Sequence, residues 1–140
     1  MSQVLHYSKI SSAREAISQI YSTVERHLVV GISRENDAPV AVIRKDDLKQ
    51  ALQSLCPISP QVRFDTKKQA SMWIDGIPVS SQGEDFDSAA HALIDALRDY
   101  ANTWVEDLKD YQNHRERWPL VNLILLSDDD ELFAFLFGRD

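Results

Sequence analysis

Cysteine and glycine are both scarce in this chain, and each shortage excludes a class of protein. The one cysteine, Cys56, has no internal partner for a disulfide. A lone thiol ahead of Pro57 reads as a small apolar residue rather than a nucleophile. Four glycines among 140 residues provide no glycine-rich phosphate loop, and neither a serine elbow nor Cys/His metal spacing is present. No catalytic residues, cofactor or metal are therefore expected. Long apolar runs are missing too. Residues 120–126 come nearest, but Asn122 interrupts them and acidic residues follow, well short of the roughly 20 residues that a membrane span needs. No basic and apolar leader with small residues opens the chain, so a cytoplasmic protein is expected. Low glycine and proline with an ordinary apolar share suit a helix-rich fold of one domain or two very small ones.

What the chain does carry is charge, unevenly placed. The net charge of −7 divides near residue 56. Up to there Lys9, Arg14, Arg26, Arg34, Arg44, Lys45 and Lys49 slightly outnumber the carboxylates. Beyond it Asp and Glu outnumber Lys and Arg two to one. The first part can touch phosphates, whereas the second would repel them and attract a basic protein.

Residues 28–52 organise the first part. Val29-Val30-Gly31-Ile32-Ser33-Arg34 and Pro39-Val40-Ala41-Val42-Ile43 are apolar, β-branched runs separated by the polar turn Glu35-Asn36-Asp37-Ala38, which reads as a β-hairpin. Asp46 and Asp47 then open a helix carrying Leu48, Leu52 and Leu55. Upstream, Val4-Leu5-His6-Tyr7 suits an edge strand. Ser11 or Ser12 is a candidate N-cap, with Glu15 at capping-box spacing from Ser12. Ala13, Ile17, Ile20, Tyr21 and Val24 set one apolar face of a helix over residues 13–26. So small a unit is poor in core, and dimerisation would remedy that.

The strand, the Ser11-Ser12-Ala13-Arg14 helix start, the hairpin with its Pro39-Val40-Ala41-Val42 strand, and the Asp-led helix together resemble the Phd/YefM antitoxins. The hairpin turn departs from the family's usual glycine-containing turn. The resemblance implies a homodimer joined through the sheets that binds operator DNA with residues at the start of the first helix. Those residues are Lys9, Ser11, Ser12 and Arg14, together with Arg34 at the hairpin corner. Free N–H groups and hydroxyls suit a phosphate there, and Arg14 can reach a guanine edge. Each residue also has a plainer role, as a cap or a solvated cation.

Cys56-Pro57-Ile58-Ser59-Pro60 reads as a break, giving a first domain over 1–56, a linker over 57–61 and an acidic α+β domain over 62–140. Residues 61–65 and 70–74 alternate as strands, and residues 77–83 form a bend or a third strand that Pro78 would place at an edge. From Phe86 the rhythm of Ala90, Leu93, Leu97, Tyr100, Ala101, Trp104, Leu108 and Tyr111 predicts a helix running to about Arg115, roughly 40 Å long. Asp87, His91 and Asp95 share one of its faces and read as solvated rather than as metal ligands. This order of strands and long helix, with the Gly83-Glu84-Asp85 helix start, is similar to the HicB-like antitoxin fold. The whole chain resembles longer Phd-like antitoxins associated with RelE-type toxins, which are mRNA interferases.

At the C-terminus Ser127 and Asp130 have capping-box spacing ahead of Leu132, Phe133, Phe135, Leu136 and Phe137, with Gly138 as the stop. These five apolar residues either dock on their own domain or anchor the toxin, with the neighbouring carboxylates steering the encounter. The expectation is an α+β antitoxin that neutralises a toxin and autorepresses its operon. The competing reading is a stand-alone transcriptional regulator with a small-molecule pocket lined by Trp73, Tyr100 and Trp104.

Overall fold

A computed structural model describes residues 4–138. The chain is α+β, with two compact units, Met1–Gln50 and Ala51–Asp140. The sheet of the first unit is built around β2 (Val30–Ile32). β2 pairs in parallel with β1 (His6–Tyr7) and antiparallel with β3 (Val40–Val42), giving the order β1-β2-β3. A Cβ on Gly31, in the centre, would meet His6 Nδ1 at 2.8 Å, so any larger residue there needs the exposed His6 ring to shift. The hairpin turn manages without glycine, since Asn36 adopts φ 67°. Asparagine tolerates that left-handed conformation better than other side chains do.

Two helices separate β1 from β2, where the periodicity predicted one. α1 (Ile10–Glu15) begins three residues early, and α2 (Ile17–Glu25) follows after a break at Ala16. The Ala16 N–H is shared between the Ser12 and Ala13 carbonyls. Ala13 of α1 and Ile20 of α2 share one buried cluster with Val24 and Val30. The expected serine cap and Ser12/Glu15 capping box do not form. The N-cap is Lys9, with no side-chain bond to the helix. α2 is capped by Arg26 and followed by His27, which is left-handed at φ 68° and whose Nδ1 lies 2.8 Å from the Asp47 carboxylate. Asp46 and Asp47 occupy the first turn of α3 (Lys45–Leu55), where carboxylates complement unpaired N–H groups.

Residues 56–59 have neither helix nor strand. The second sheet has the order β4-β5-β6, all antiparallel: β4 (Pro60–Phe64), β5 (Ala70–Ile74) and β6 (Ser80–Gly83). β6 is an edge strand that starts after Pro78 rather than containing it. Ala70, Met72 and Ile74 alternate inward along β5 and are buried. α4 (Phe86–Glu106) packs across β6 and β5 and contributes Ala89, Ala90, Leu93, Ile94, Leu97 and Ala101 to the core. Asp85 caps it, accepting from the Ser88 N–H at 2.8 Å.

The long helix stops at Glu106, not near Arg115. A 3-10 turn (Leu108–Asp110) and a four-residue helix α5 (Gln112–Arg115) fold the chain back. Two bonds hold that return, Trp104 Nε1 donating to the His114 carbonyl at 2.8 Å and Tyr100 Oη lying 2.9 Å from His114 Nδ1. Pro119 sits in the first turn of α6 (Trp118–Leu126), where its missing N–H costs nothing. α7 (Asp129–Phe137) closes the unit and stops at Gly138, φ 82°. Its capping box is one residue later than the spacing suggested. Asp128 and Glu131 form it, while Ser127 is buried as the C-cap of α6.

Candidate functional site

The first candidate surface lies at α1. Lys9, Ser11, Ser12 and Arg14 are all exposed, and none of their side chains is engaged among the described residues. Because α1 starts at Ile10, Ser11 and Ser12 lie within its first turn and Arg14 falls in its last. Burial of Ala13 turns this helix so that the polar residues around it face solvent. Arg34 belongs to the same neighbourhood, lining a groove of about 210 Å³ with Ile10, Ile32, Asp37, Ala38 and Val40. Its guanidinium is ion-paired to Asp37 across the hairpin turn. That pair is exposed at both ends and therefore weak, so an anionic ligand can compete for the arginine.

The same unit leaves much apolar surface in water. Ile17 is 61% exposed, Tyr21 69% and Val40 61%. A cavity of about 530 Å³ runs between Tyr21 and Val24 of α2 and Val42 to Asp46 at the head of α3. With only Ala13, Ile20, Val24 and Val30 buried as its cluster, a unit that exposes such large apolar side chains is one in which a second chain is favoured.

The second candidate surface is α7 with its acidic start. Leu132 and Leu136, expected among the apolar anchors, are buried in the core of their own unit. Phe133, Phe135 and Phe137 are half-buried against that core. Phe137 meets Phe86 edge-on at 5.2 Å and Phe133 at 4.9 Å. Asp128, Asp129, Asp130 and Glu131 lie exposed beside them. His91 donates from Nδ1 to the Asp87 carbonyl at 2.7 Å, and its ring lies tilted beside that of Phe133 at 6.2 Å, so it touches both α4 and α7.

Arg98 was not legible as a functional residue. From α4 it donates to the Ile124 carbonyl at 2.7 Å, the Ser127 carbonyl at 2.9 Å and Asp129 Oδ1 at 2.7 Å. One guanidinium thus caps the C-terminal carbonyls of α6 and grips the first residue of α7. Its partners lie 26 to 31 residues away, and periodicity places it only on a polar face.

Tyr100 and Trp104 direct their polar atoms to His114, as described above, rather than into an open cavity. Burial pushes the Tyr100 hydroxyl up, and Arg117 partly offsets this. Burial likewise raises the Cys56 thiol, again with an opposing effect from Arg117. A buried thiol with a raised pKa is a poor nucleophile.

The family of PHD-like antitoxins, described as "antitoxin of toxin-antitoxin, RelE / RelB, TA system", matches residues 1–137. The chain belongs to this family. It is an antitoxin of a toxin–antitoxin system. The PHD-like antitoxin also shares its fold with the crystal structure of an antitoxin part of a proposed toxin/antitoxin system from Syntrophomonas wolfei subsp. wolfei. The TM-score is 0.76 at 21% identity, over 99% of each chain. No curated protein sequence matches significantly. Among its described residues the antitoxin has no helix long and apolar enough to cross a membrane.

Proposed function

We propose that this antitoxin works in the cytoplasm as a homodimer, represses its own operon through the first unit, and neutralises a RelE-type mRNA interferase through the second. The observation that carries this reading is the unengaged set Lys9, Ser11, Ser12 and Arg14 on α1, with Arg34 beside it. Exposed cations and hydroxyls on one small face suit phosphate contacts, and Arg14 has the reach for a base edge. The outward Ile17, Tyr21 and Val40 side chains favour a second copy, and two copies double the DNA face as a palindromic operator needs.

In the second unit the half-buried Phe133, Phe135 and Phe137 offer apolar contacts, and the carboxylates of residues 128–131 steer a basic toxin toward them. Leu132 and Leu136 contribute from inside, by holding α7 in place.

The test is co-expression with the protein encoded next to it, together with titration of the DNA upstream of the operon. The neighbour should arrest growth alone, be rescued by this chain and co-purify with it. A harmless neighbour that does not bind overturns neutralisation of that protein. For DNA, Arg14→Ala should reduce the salt slope of binding by about one if Arg14 contacts phosphate, or relax sequence preference if it reads a base. Unchanged slope and unchanged preference remove Arg14 from the interface.

A further inference from the structure

The outer edge of β4 carries an interaction surface that the reading above does not use. In the β4–β5 ladder Asp65 donates its N–H to the Gln69 carbonyl, and Arg63 stands opposite Ser71. In an antiparallel pair the inward and outward backbone groups alternate. Residues 61, 63 and 65 therefore bond to β5, and Pro60, Val62 and Phe64 turn their backbone groups to the free edge. Their side chains share the inner face with Ile74, Met72 and Ala70, their partners in register. α4 is centred on β5 and β6, so Val62 stays 36% exposed and Phe64 56%. An open edge and an uncovered apolar strip thus coincide on one strand.

We infer that this edge pairs with β4 of a second copy of the chain, antiparallel and centred on Val62, so that two three-stranded sheets join into one of six strands. The β4 sequence is self-complementary in this register and charge favours it. Val62 faces Val62, the apolar Pro60 faces Phe64, and Arg63 faces Gln61, so no two like charges meet. A shift to centre on Arg63 would oppose two guanidiniums.

The turn that follows supports the same partner. Within an acidic unit, the β4–β5 hairpin holds Arg63, Lys67 and Lys68 against Asp65 alone. Antiparallel pairing carries the turn with Lys67 past the end of the partner copy's β4, toward residues 56–59 that precede that strand. There Pro57 and Ile58 line a cavity of about 210 Å³ with the carboxylates Asp75 and Glu116 and the cation Arg117. Arg117 is already engaged with the Gly76 carbonyl at 2.8 Å, leaving the two carboxylates to receive the lysine. A basic toxin would meet the cationic hairpin unfavourably on this edge. Pro60 ends the ladder, because it has no N–H to continue it.

The pairing is tested in the full chain by cysteine cross-linking, which reads β4 whatever the first unit does. Across a hydrogen-bonded antiparallel pair the two residue-62 Cα atoms lie about 5.5 Å apart, within disulfide range. Val62→Cys should therefore give a disulfide-linked dimer under mild oxidation. Phe64→Cys should not, since its two copies would lie about 14 Å apart along the strand. Val62→Pro removes the central outward N–H of each copy and should weaken association roughly tenfold or more in sedimentation. Its thermal transition, followed in parallel, shows whether the unit remains folded. Cross-linking of neither variant or of both alike overturns the inference, as does unchanged association of a folded Val62→Pro chain.

Discussion

At the scale of single residues, long-range hydrogen bonds from a few polar side chains fix the order of the second unit. Arg98 binds two carbonyls and a carboxylate at the junction of α6 and α7. Arg98→Ala leaves those carbonyls without a charged donor and should cost about 1–3 kcal/mol. The urea midpoint of the second unit's transition measures this, and a change under about 0.5 kcal/mol would be that of an ordinary surface site. Asp85 has a different signature. Hydrogen bonds from the Ser88 backbone N–H and hydroxyl hold its carboxyl below the usual aspartate value of 3.8. A pKa lower in the folded state than in the unfolded one contributes stability above the unfolded value and loses it as pH falls through the folded one. Asp85→Ala should therefore be less stable than the parent at neutral pH, with the difference closing on acidification below 3.8. A constant difference across that range would assign the effect to packing rather than to the ionised cap.

At the scale of elements, β6 and α4 approach closely at Gly83. A Cβ on Gly83 would lie 2.4 Å from the Ala89 backbone nitrogen. Gly83→Ala must push α4 away from the sheet and should destabilise the fold by about 1–3 kcal/mol, measured by thermal unfolding. An unchanged transition would mean that the helix yields freely at its N-terminus. The same elements show what a sequence discloses. β5 and the first hairpin were legible because alternation and β-branching are local signals. The α2–β2 order and the acidic start of α3 were legible for the same reason. The break at Ala16 was not, as it involves neither glycine nor proline and the apolar rhythm from Ala13 to Val24 runs straight through it. Nor was the end of α4 at Glu106, because Leu108 and Tyr111 continue the helical rhythm while His114 draws the chain back through Tyr100 and Trp104. For α7 the composition was plain but its direction was not. Five apolar residues on so short a helix leave open which side is buried, and only packing turned Leu132 and Leu136 inward. On α1, Lys9, Ser11, Ser12 and Arg14 could be named as candidates, whereas Arg98 could not.

At the scale of the whole molecule, the two units differ in how much they bury. The first has Ala13, Ile20, Val24 and Val30 as its cluster, while the second has a core running from Met72 and Leu97 to Ile124 and Leu132. Local opening should follow that difference. In dilute solution the amides of Val30 and Ile20 should exchange with solvent deuterium faster than those of Leu93 and Leu97. Raising the protein concentration should slow the first pair if a second copy covers the first unit. Equal protection of both pairs at low concentration would show that the small cluster needs no cover. The buried cysteine has a practical consequence here. Cys56 is the only thiol, and burial both hides it and keeps it protonated. A cysteine placed at an exposed position is then far more accessible to maleimide dyes than Cys56 in the native chain. Site-specific labels can follow each unit separately, with the natural sequence otherwise intact.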